Sequence, residues 1–299
     1  MRRPFTGCGT ALVTPFKTDG SLDDAAVSRL ARRQIELGIH FLVPCGTTGE
    51  VPTLTEAEQV RVVELVVAEA GGKVPVLAGA GGYNTQEVIH SALRMKSAGA
   101  NGILSVTPYY NKPTPEGLYQ HYRAIAEAVQ LPIIVYNVPG RTGCNVDPAT
   151  AARLSTIPHI AGVKEASGNV TQMCEVVAGV PDDFIVLSGD DALTLPLMAI
   201  GGRGVISVAS NEIPAEMSRL VELVEQGDFA AARSQHQRLL PLLMVNFIES
   251  NPIPVKSAMA SMGLLDEVYR LPMVPPRPAS KQRIDAVLQA LGLAAGVHA

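Results

Sequence analysis

The chain has 299 residues, which is enough for one large α/β barrel or for two ordinary domains. Hydrophobic residues make up 47% of it and aromatic residues only 4%, so the core must be aliphatic, as suits a parallel sheet. The net charge of −4, without a long basic run, argues against nucleic acid and anionic membranes as partners. No apolar run approaches membrane-spanning length, and the N-terminus lacks the apolar segment of a signal peptide.

The four cysteines show neither a CxxC spacing nor a paired pattern, which predicts free thiols in a reducing cytoplasm. The six histidines form no HxxxH motif or His/Asp cluster, and this argues against a zinc-dependent aldolase. A GxSxG or Cys/His signature of a hydrolase is also missing. We therefore expect no metal and no other cofactor.

Short apolar runs alternate along the chain with longer amphipathic stretches. Each run has the length of a buried strand and is bounded by turn-forming residues. The predicted strands are Thr10–Val13, Phe41–Val43, Val76–Gly79, Gly102–Val106, Ile133–Tyr136, Ile160–Lys164, Phe184–Leu187 and Gly204–Ser207.

Capping signals mark the beginnings of the helices between these strands. Thr55 and Glu58 have the spacing of a capping box. Thr114–Pro115 and Asp147–Pro148 each pair a capping side chain with proline at the first helical position. The helices predicted after the first and the eighth strand are Asp23–Leu37 and Pro214–Gln226.

Eight strand–helix repeats in roughly 220 residues fit a (β/α)8 TIM barrel. A doubly wound sheet is the alternative, but it usually has fewer repeats and a glycine fingerprint after its first strand. Here the first strand runs into Thr14-Pro15-Phe16 instead. Beyond Gly227 the pattern contains helices only, so we predict a catalytic barrel over residues 1–226 and a helical C-terminal extension over 227–299. The helices predicted in the extension are Phe229–Glu249, Ile253–Met262 and Lys281–Leu291.

Lys164 lies within the sixth apolar run, where the sequence passes from a buried strand to the turn formers Ser167 and Gly168. Burial disfavours the ammonium form of a lysine, and the free amine is a nucleophile that forms Schiff bases with carbonyl substrates. The competing interpretation is a structural lysine that pairs with Glu165 or extends outward to solvent.

Residues suited to chemistry follow several other predicted strands, at the end of the barrel where active sites lie. Each also has a structural interpretation as a turn, a rim contact or a surface charge, and Asp190–Asp191 reads as a solvated turn. Strands five and six should be neighbours, which would bring the Tyr136 hydroxyl near Lys164. Together the set supplies the hydroxyls, carboxylate-binding donors and cation that a Schiff-base lyase needs. Its members are Thr47, Thr48, Tyr109, Tyr110, Tyr136, Arg141, Gly189 and Ile206.

Eight motifs follow one another along the chain: GTALVTPF, GTTGE, VTPYYNKP, YNVPGRTG, GVKEASGN, LSGDD, GVISV and NPIPVK. In this order they resemble the motifs of the dihydrodipicolinate synthase family over nearly the whole chain. The resemblance implies a (β/α)8 barrel with a helical C-terminal domain, usually assembled as a tetramer of two tight dimers. It also implies the condensation of pyruvate with L-aspartate 4-semialdehyde in diaminopimelate and lysine biosynthesis.

The resemblance further implies a role for each candidate residue. Lys164 would form the imine with pyruvate. Thr47 and Tyr136 would form a hydroxyl relay, which Tyr110 of the neighbouring subunit would complete. The implied substrate-binding residues are Thr48 for the pyruvate carboxylate, Arg141 for the carboxylate of the semialdehyde, and the backbone of Gly189 and Ile206 around the pyruvate pocket.

Related barrels leave other functions open. N-acetylneuraminate lyase and the 2-keto-3-deoxy sugar acid aldolases share the lysine and the tyrosine, so the choice among them depends on Arg141 and on the two threonines of GTTGE. A catalytically silent relative that binds a sugar acid is a further alternative.

The chain departs from its lysine-inhibited relatives at the positions where those proteins bind the end product. They typically have a serine after GTTGE, histidines at the start of the next helix and an asparagine after strand three. Only Glu87 keeps the expected carboxylate here, which predicts weak or absent feedback inhibition by L-lysine. The residues that replace the others are Val51, Glu56, Gln59 and Tyr83.

Overall fold

The computed structural model describes residues 4–294, and within that range it contains eight parallel strands and twelve α-helices. The strands are β1 (Gly7–Ala11), β2 (Phe41–Val43), β3 (Leu77–Gly79), β4 (Gly102–Val106), β5 (Ile133–Asn137), β6 (Ile160–Glu165), β7 (Ile185–Ser188) and β8 (Gly204–Ser207). The helices are α1 (Asp24–Glu36), α2 (Glu56–Ala70), α3 (Thr85–Ser97), α4 (Pro115–Val129), α5 (Pro139–Thr142), α6 (Pro148–Leu154), α7 (Val170–Gly179), α8 (Thr194–Ala199), α9 (Pro214–Glu225), α10 (Phe229–Val245), α11 (Ile253–Ser261) and α12 (Pro278–Ala290).

The sheet closes on itself, which confirms the predicted (β/α)8 barrel. Its strand order is β2-β1-β8-β7-β6-β5-β4-β3, so each strand lies beside its neighbour in sequence and β1 lies beside β8. β2 and β3 meet through a parallel bridge between Leu42 and Val76. The amide of Leu42 donates to the carbonyl of Pro75 at 3.0 Å, and that of Gly79 donates to Pro44 at 2.9 Å.

The barrel has two apolar layers, because side chains of a strand alternate between its faces. One layer fills the interior and the other packs between the strands and the surrounding helices. Aliphatic side chains dominate the interior, as the low aromatic content predicted. The buried interior residues are Phe5, Ala11, Phe41, Val43, Leu77, Leu104, Ile134, Tyr136, Val138, Ile185, Leu187 and Ile206.

The predicted first strand, Thr10–Val13, begins too late along the chain, because β1 covers Gly7–Ala11. The glycines at its start are typical of a turn, which explains the displaced prediction. Gly9 nevertheless belongs to the strand, at a position where a larger residue cannot fit. A Cβ atom on Gly9 would overlap the ring of Phe41, which fills the barrel floor beside Phe5. The other seven strands lie within one residue of their predicted bounds.

The helix-start signals are confirmed by the hydrogen bonds of the caps. Thr55 and Glu58 form a reciprocal capping box at the start of α2. The side chain of Thr114 accepts from the amide of Gly117, and that of Asp147 accepts from the amide of Thr150. Local polar residues therefore determine where α2, α4 and α6 begin.

Helix α11 packs against the carboxyl end of the barrel, and α12 packs on α10 and α11. Val255 and Met259 of α11 share a buried cluster with Val13 and Val208, which follow β1 and β8. α10 ends at Val245, four residues before its predicted end, and the chain then turns back toward the barrel mouth. The division into domains at residues 226 and 227 stays a prediction. Within residues 4–294, no helix is both long and apolar enough to cross a membrane.

A buried carboxylate joins the barrel to the C-terminal helices. Glu212 is 1% exposed, and its Oε2 accepts a 2.6 Å hydrogen bond from Asn246 Nδ2 at the end of α10. Its Oε1 is buried and has no hydrogen-bond partner among the described residues. Desolvation raises the pKa of Glu212 well above its usual range, and the nearby Asp191 adds to this shift.

We expect the stability of the protein to fall as the pH rises above the ordinary pKa of glutamate. The folded state then holds a proton on Glu212 that the unfolded state has lost, so unfolding becomes more favourable with each pH unit. Glu212→Gln should remove this pH dependence. The free energy of unfolding of the variant should therefore rise relative to that of the wild type by up to about 1.4 kcal/mol per pH unit. Urea unfolding at pH 5, 6.5 and 8, at one protein concentration, measures the difference. Parallel stability curves for the two proteins would contradict this assignment.

Candidate active site

Six of the eight residues to which the resemblance gives a role surround one cavity of about 110 Å3 at the carboxyl end of the strands. Apolar side chains, among them Val43, Leu104 and Val138, form much of the remaining wall. A cavity that combines apolar walls with a few converging polar groups is typical of small-molecule binding. The six predicted residues are Thr47, Thr48, Tyr136, Arg141, Lys164 and Gly189.

Lys164 lies on β6, in register with Tyr136 on β5 and Leu187 on β7. It is 5% exposed, and its Nζ is 4.2 Å from the centre of the Tyr136 ring. The structural alternative of an ion pair with Glu165 is wrong, because successive side chains of a strand point to opposite faces. Glu165 accepts hydrogen bonds from Asn137 and Gln172 on the outer face. The amine of Lys164 therefore faces the cavity.

Gly189 provides the space that the lysine side chain needs. A Cβ atom at this position would lie 3.0 Å from Cε and 3.2 Å from Cγ of Lys164, and 2.6 Å from Cβ of Ala166. Any larger residue would therefore displace the aliphatic part of Lys164. This contact gives Gly189 a physical role beside the one implied by the resemblance.

Asn251 was missed by the sequence reasoning, although it connects two of the candidate substrate-binding residues. It is 5% exposed and lines the cavity. Its Nδ2 donates to Thr48 Oγ1 at 3.0 Å, and its backbone carbonyl accepts from a terminal guanidinium nitrogen of Arg141 at 3.2 Å. Asn251 and Thr48 are 203 residues apart, so no local signal could have shown the contact.

The other two of these eight residues do not line this cavity. Ile206 is fully buried in the barrel interior, and Val208, two residues further on, lines the cavity instead. Tyr110 is 91% exposed on the surface of the chain. Its implied route into a site is from a neighbouring subunit.

A second cavity of about 210 Å3 adjoins the first, and both are lined by Gly46, Thr47, Leu104 and Tyr136. Val51, Gln59 and Tyr109 complete part of its wall. The ring of Tyr83 packs edge-on against Tyr109, with 5.2 Å between the ring centres. Thr47 and Tyr136, which carry the two hydroxyls, thus lie at the boundary between the two cavities.

A second buried lysine, Lys256, competes with Lys164 as a candidate nucleophile. Desolvation lowers the pKa of Lys256, and the carboxylate of Glu50 opposes that shift. Its Nζ is nevertheless bound to Glu50 Oε1 at 2.6 Å and to the carbonyl of Thr14 at 3.1 Å. Since Lys256 does not line the cavity, the geometry favours Lys164.

Asp191 is 1% exposed, so its interpretation as part of a solvated turn is wrong. Its Oδ2 accepts hydrogen bonds of 2.9 Å from the amides of Val208 and Ala209, which follow β8. Burial raises the pKa of Asp191. The carboxylate thereby ties the ends of β7 and β8 together beside the cavity, while Asp190 lines its wall.

The fold and the cavity together define a class of protein. A buried lysine faces a cavity with hydroxyl and guanidinium groups at the carboxyl end of a (β/α)8 barrel, which is the arrangement of a Schiff-base lyase. Within residues 4–294, no group of three or more His, Cys, Asp or Glu side chains is placed to hold a metal ion.

The model of the dihydrodipicolinate synthetase family matches residues 4–291, and the chain belongs to this family. It is 53% identical over 288 residues to the 4-hydroxy-tetrahydrodipicolinate synthase of Koribacter versatilis, with 96% of each chain covered.

Solved structures agree with this placement. The dihydrodipicolinate synthase of Aquifex aeolicus superposes with a TM-score of 0.95 at 42% identity, covering 97% of this chain and 99% of that one. The chloride-inhibited enzyme of Acinetobacter baumannii, solved in complex with pyruvate, has a TM-score of 0.95 at 41% identity and covers 96% and 99% of the two chains.

Proposed function

We propose that this protein condenses pyruvate with L-aspartate 4-semialdehyde to form 4-hydroxy-tetrahydrodipicolinate, in diaminopimelate and lysine biosynthesis. The observation that carries the proposal is the amine of Lys164, buried at the wall of a small cavity and beside the ring of Tyr136. Family membership supports the same reaction, since relatives about half identical over nearly the full length carry this name.

In the first half-reaction Lys164 attacks the keto carbon of pyruvate, and loss of water leaves an imine. Thr48, at the turn after β2, holds the pyruvate carboxylate through its amide and hydroxyl. The hydroxyls of Tyr136 and Thr47, on the boundary of the cavity, carry the protons that this step must move. The protonated imine then acidifies the methyl group, and an enamine forms.

In the second half-reaction the enamine carbon attacks the aldehyde of the semialdehyde. Arg141 holds the carboxylate of this substrate, as a guanidinium can bind both oxygens at once. The amino group of the substrate then attacks the imine carbon, so that the ring closes and the amine of Lys164 is released. The enzyme ends each cycle in its starting form, with water as the only small product.

The functional unit is a homotetramer of two tight dimers. Tyr110 carries a large, exposed aromatic side chain and follows Tyr109, which packs against Tyr83; these two are 39% and 53% exposed. Exposed aromatic residues are enriched at protein interfaces. In this arrangement Tyr110 of one subunit completes the Tyr136–Thr47 relay of its partner.

The cytoplasm is the compartment that suits this chemistry and these thiols. The four cysteines are free, and Cys8, Cys45 and Cys144 are buried. Burial raises the pKa of the Cys45 thiol to about 12, which keeps it protonated and unreactive. No nucleic acid or membrane partner is part of the proposal.

Substrate preference of the purified protein tests the proposed function. Pyruvate with L-aspartate 4-semialdehyde should give the highest kcat/KM in a coupled assay. Cleavage of N-acetylneuraminate or of a 2-keto-3-deoxy sugar acid should be slower by orders of magnitude. A faster reaction with either sugar acid would move the protein to a different member of the same class, and no turnover with any substrate would favour a binding protein.

We expect little or no inhibition by L-lysine. In the second cavity Val51 offers no side-chain hydrogen bond, and Gln59 already donates to the carbonyls of Val51 and Leu54. Glu56 is paired with Arg94 at 3.0 Å, so its charge is partly neutralised. Titration of lysine at saturating pyruvate measures the effect, and half-inhibition below about 1 mM, which corresponds to binding of roughly 4 kcal/mol or more, would show that a lysine site persists.

A further inference from the structure

Glu50 closes the GTTGE turn in an uncommon backbone conformation. Its φ of 53° is in the left-handed region, and its side chain is 1% exposed. Its amide donates to the carbonyl of Thr47 at 3.1 Å, so the position of Glu50 and the position of Thr47 depend on each other. A strained, buried residue beside the site persists only when surrounding contacts hold it there.

Lys256 supplies that contact from α11, 206 residues away in sequence. Its side chain has no exposed surface, and its Nζ bonds both Glu50 Oε1 and the carbonyl of Thr14, which follows β1. The rings of Phe16 and Tyr269 enclose the ammonium group, with centres 4.4 and 5.2 Å from Nζ. The lysine therefore locks the turn to two other parts of the molecule.

Stability alone does not explain a pair that is buried so completely. Desolvation of two charges often offsets their attraction, and apolar residues of similar volume can replace such a pair without loss. What the ion pair does provide is a fixed distance between α11, the end of β1 and the turn that carries Thr47 and Thr48.

We propose that Glu50 and Lys256 are positioning residues that place Thr47 and Thr48 for reaction with pyruvate. The inference rests on the roles given above to these two threonines. Neither charged group lines the cavity, so both act through the turn. Arg141 follows β5 and is linked to Thr48 indirectly, through Asn251, so binding of the semialdehyde should be affected less.

Glu50→Asp tests the proposal most directly, because it keeps both charges and shortens the reach of the carboxylate by one methylene group. A displacement of about 1 Å can cost on the order of a hundredfold in rate. We expect the KM for pyruvate to rise, and the rate of borohydride-trapped imine formation to fall, by at least about tenfold. The KM for the semialdehyde should rise by a smaller factor, since Arg141 is linked to Thr48 only indirectly, through Asn251.

Lys256→Met leaves the buried carboxylate of Glu50 unpaired and can prevent folding. The double variant E50Q/K256M removes both charges, and we expect it to regain the thermal midpoint but not the affinity for pyruvate. Lys281→Met is the control, since it removes a Lys–Glu pair with Glu267 and a hydrogen bond to Ser257 of α11 but no contact with Glu50. It should leave both KM values unchanged.

Two results would overturn the proposal. One is a pyruvate KM and a trapping rate within about twofold of wild type in both Glu50→Asp and E50Q/K256M, which would make the pair purely structural. The other is an equal rise in KM for both substrates. The trapping rate needs no second substrate, so a wild-type protein that traps pyruvate but does not condense the semialdehyde would contradict the proposed function and leave this test in force.

Discussion

Replacement of Lys164 by arginine is expected to abolish condensation while leaving the fold intact. Arginine keeps the positive charge and the long aliphatic stem of lysine, but it stays protonated and cannot form an imine. Loss of a covalent catalytic group leaves only binding and electrostatic effects, so kcat should fall by about three orders of magnitude or more. Lys164→Ala should lose activity to a similar extent.

Steady-state kinetics measure the loss of kcat, and thermal unfolding of each variant shows whether the fold is intact. Lys73→Arg, at an exposed turn after α2, is the matched control and should retain wild-type kinetics. Activity of Lys164→Arg within about tenfold of wild type would show that an amine at this position is not required for the chemistry.

Arg141→Ala is expected to damage use of the semialdehyde far more than formation of the pyruvate imine. Removal of one charged partner of a hydrogen-bonded pair typically costs about 2–5 kcal/mol, or roughly 30-fold to several-thousandfold in kcat/KM. Arg141 is exposed at the rim of the cavity, where it can meet an incoming carboxylate. Its guanidinium also contacts the carbonyl of Asn251, so a part of the loss can come from the loop.

Arg141→Lys separates these two contributions. Lysine keeps the charge but cannot hold a carboxylate with two parallel hydrogen bonds, so we expect an intermediate defect in the kcat/KM for the semialdehyde. Borohydride trapping of pyruvate should proceed in both variants at close to the wild-type rate. Equal loss of trapping and of condensation would mean that Arg141 supports the loop and binds no substrate.

The sequence predicted the barrel and most of its strands because the signals for them are local. Seven of the eight strand positions follow from short apolar runs. The prediction for β1 was displaced because glycine is required at position 9 by the ring of Phe41, a residue of another strand. The caps at Thr55, Thr114 and Asp147 were predictable for the same reason, as each involves residues three positions apart.

The support around the site was not predictable, since it depends on residues far apart in sequence. Asn251 contacts Thr48 across 203 residues, and Lys256 contacts Glu50 across 206. Asp191 looked like an ordinary turn residue, and only its contacts with the chain after β8 show that it is buried. The positions of the candidate residues can thus be predicted from the barrel fold, while the residues that support them cannot.

Reductive trapping of pyruvate tests the central claim most directly. Treatment of the purified enzyme with pyruvate and borohydride should inactivate it irreversibly and add one reduced pyruvate adduct per chain. Peptide mass spectrometry should place that adduct on Lys164, whose amine faces the cavity. An adduct on the exposed Lys112 or on the buried Lys256, with none on Lys164, would contradict the account.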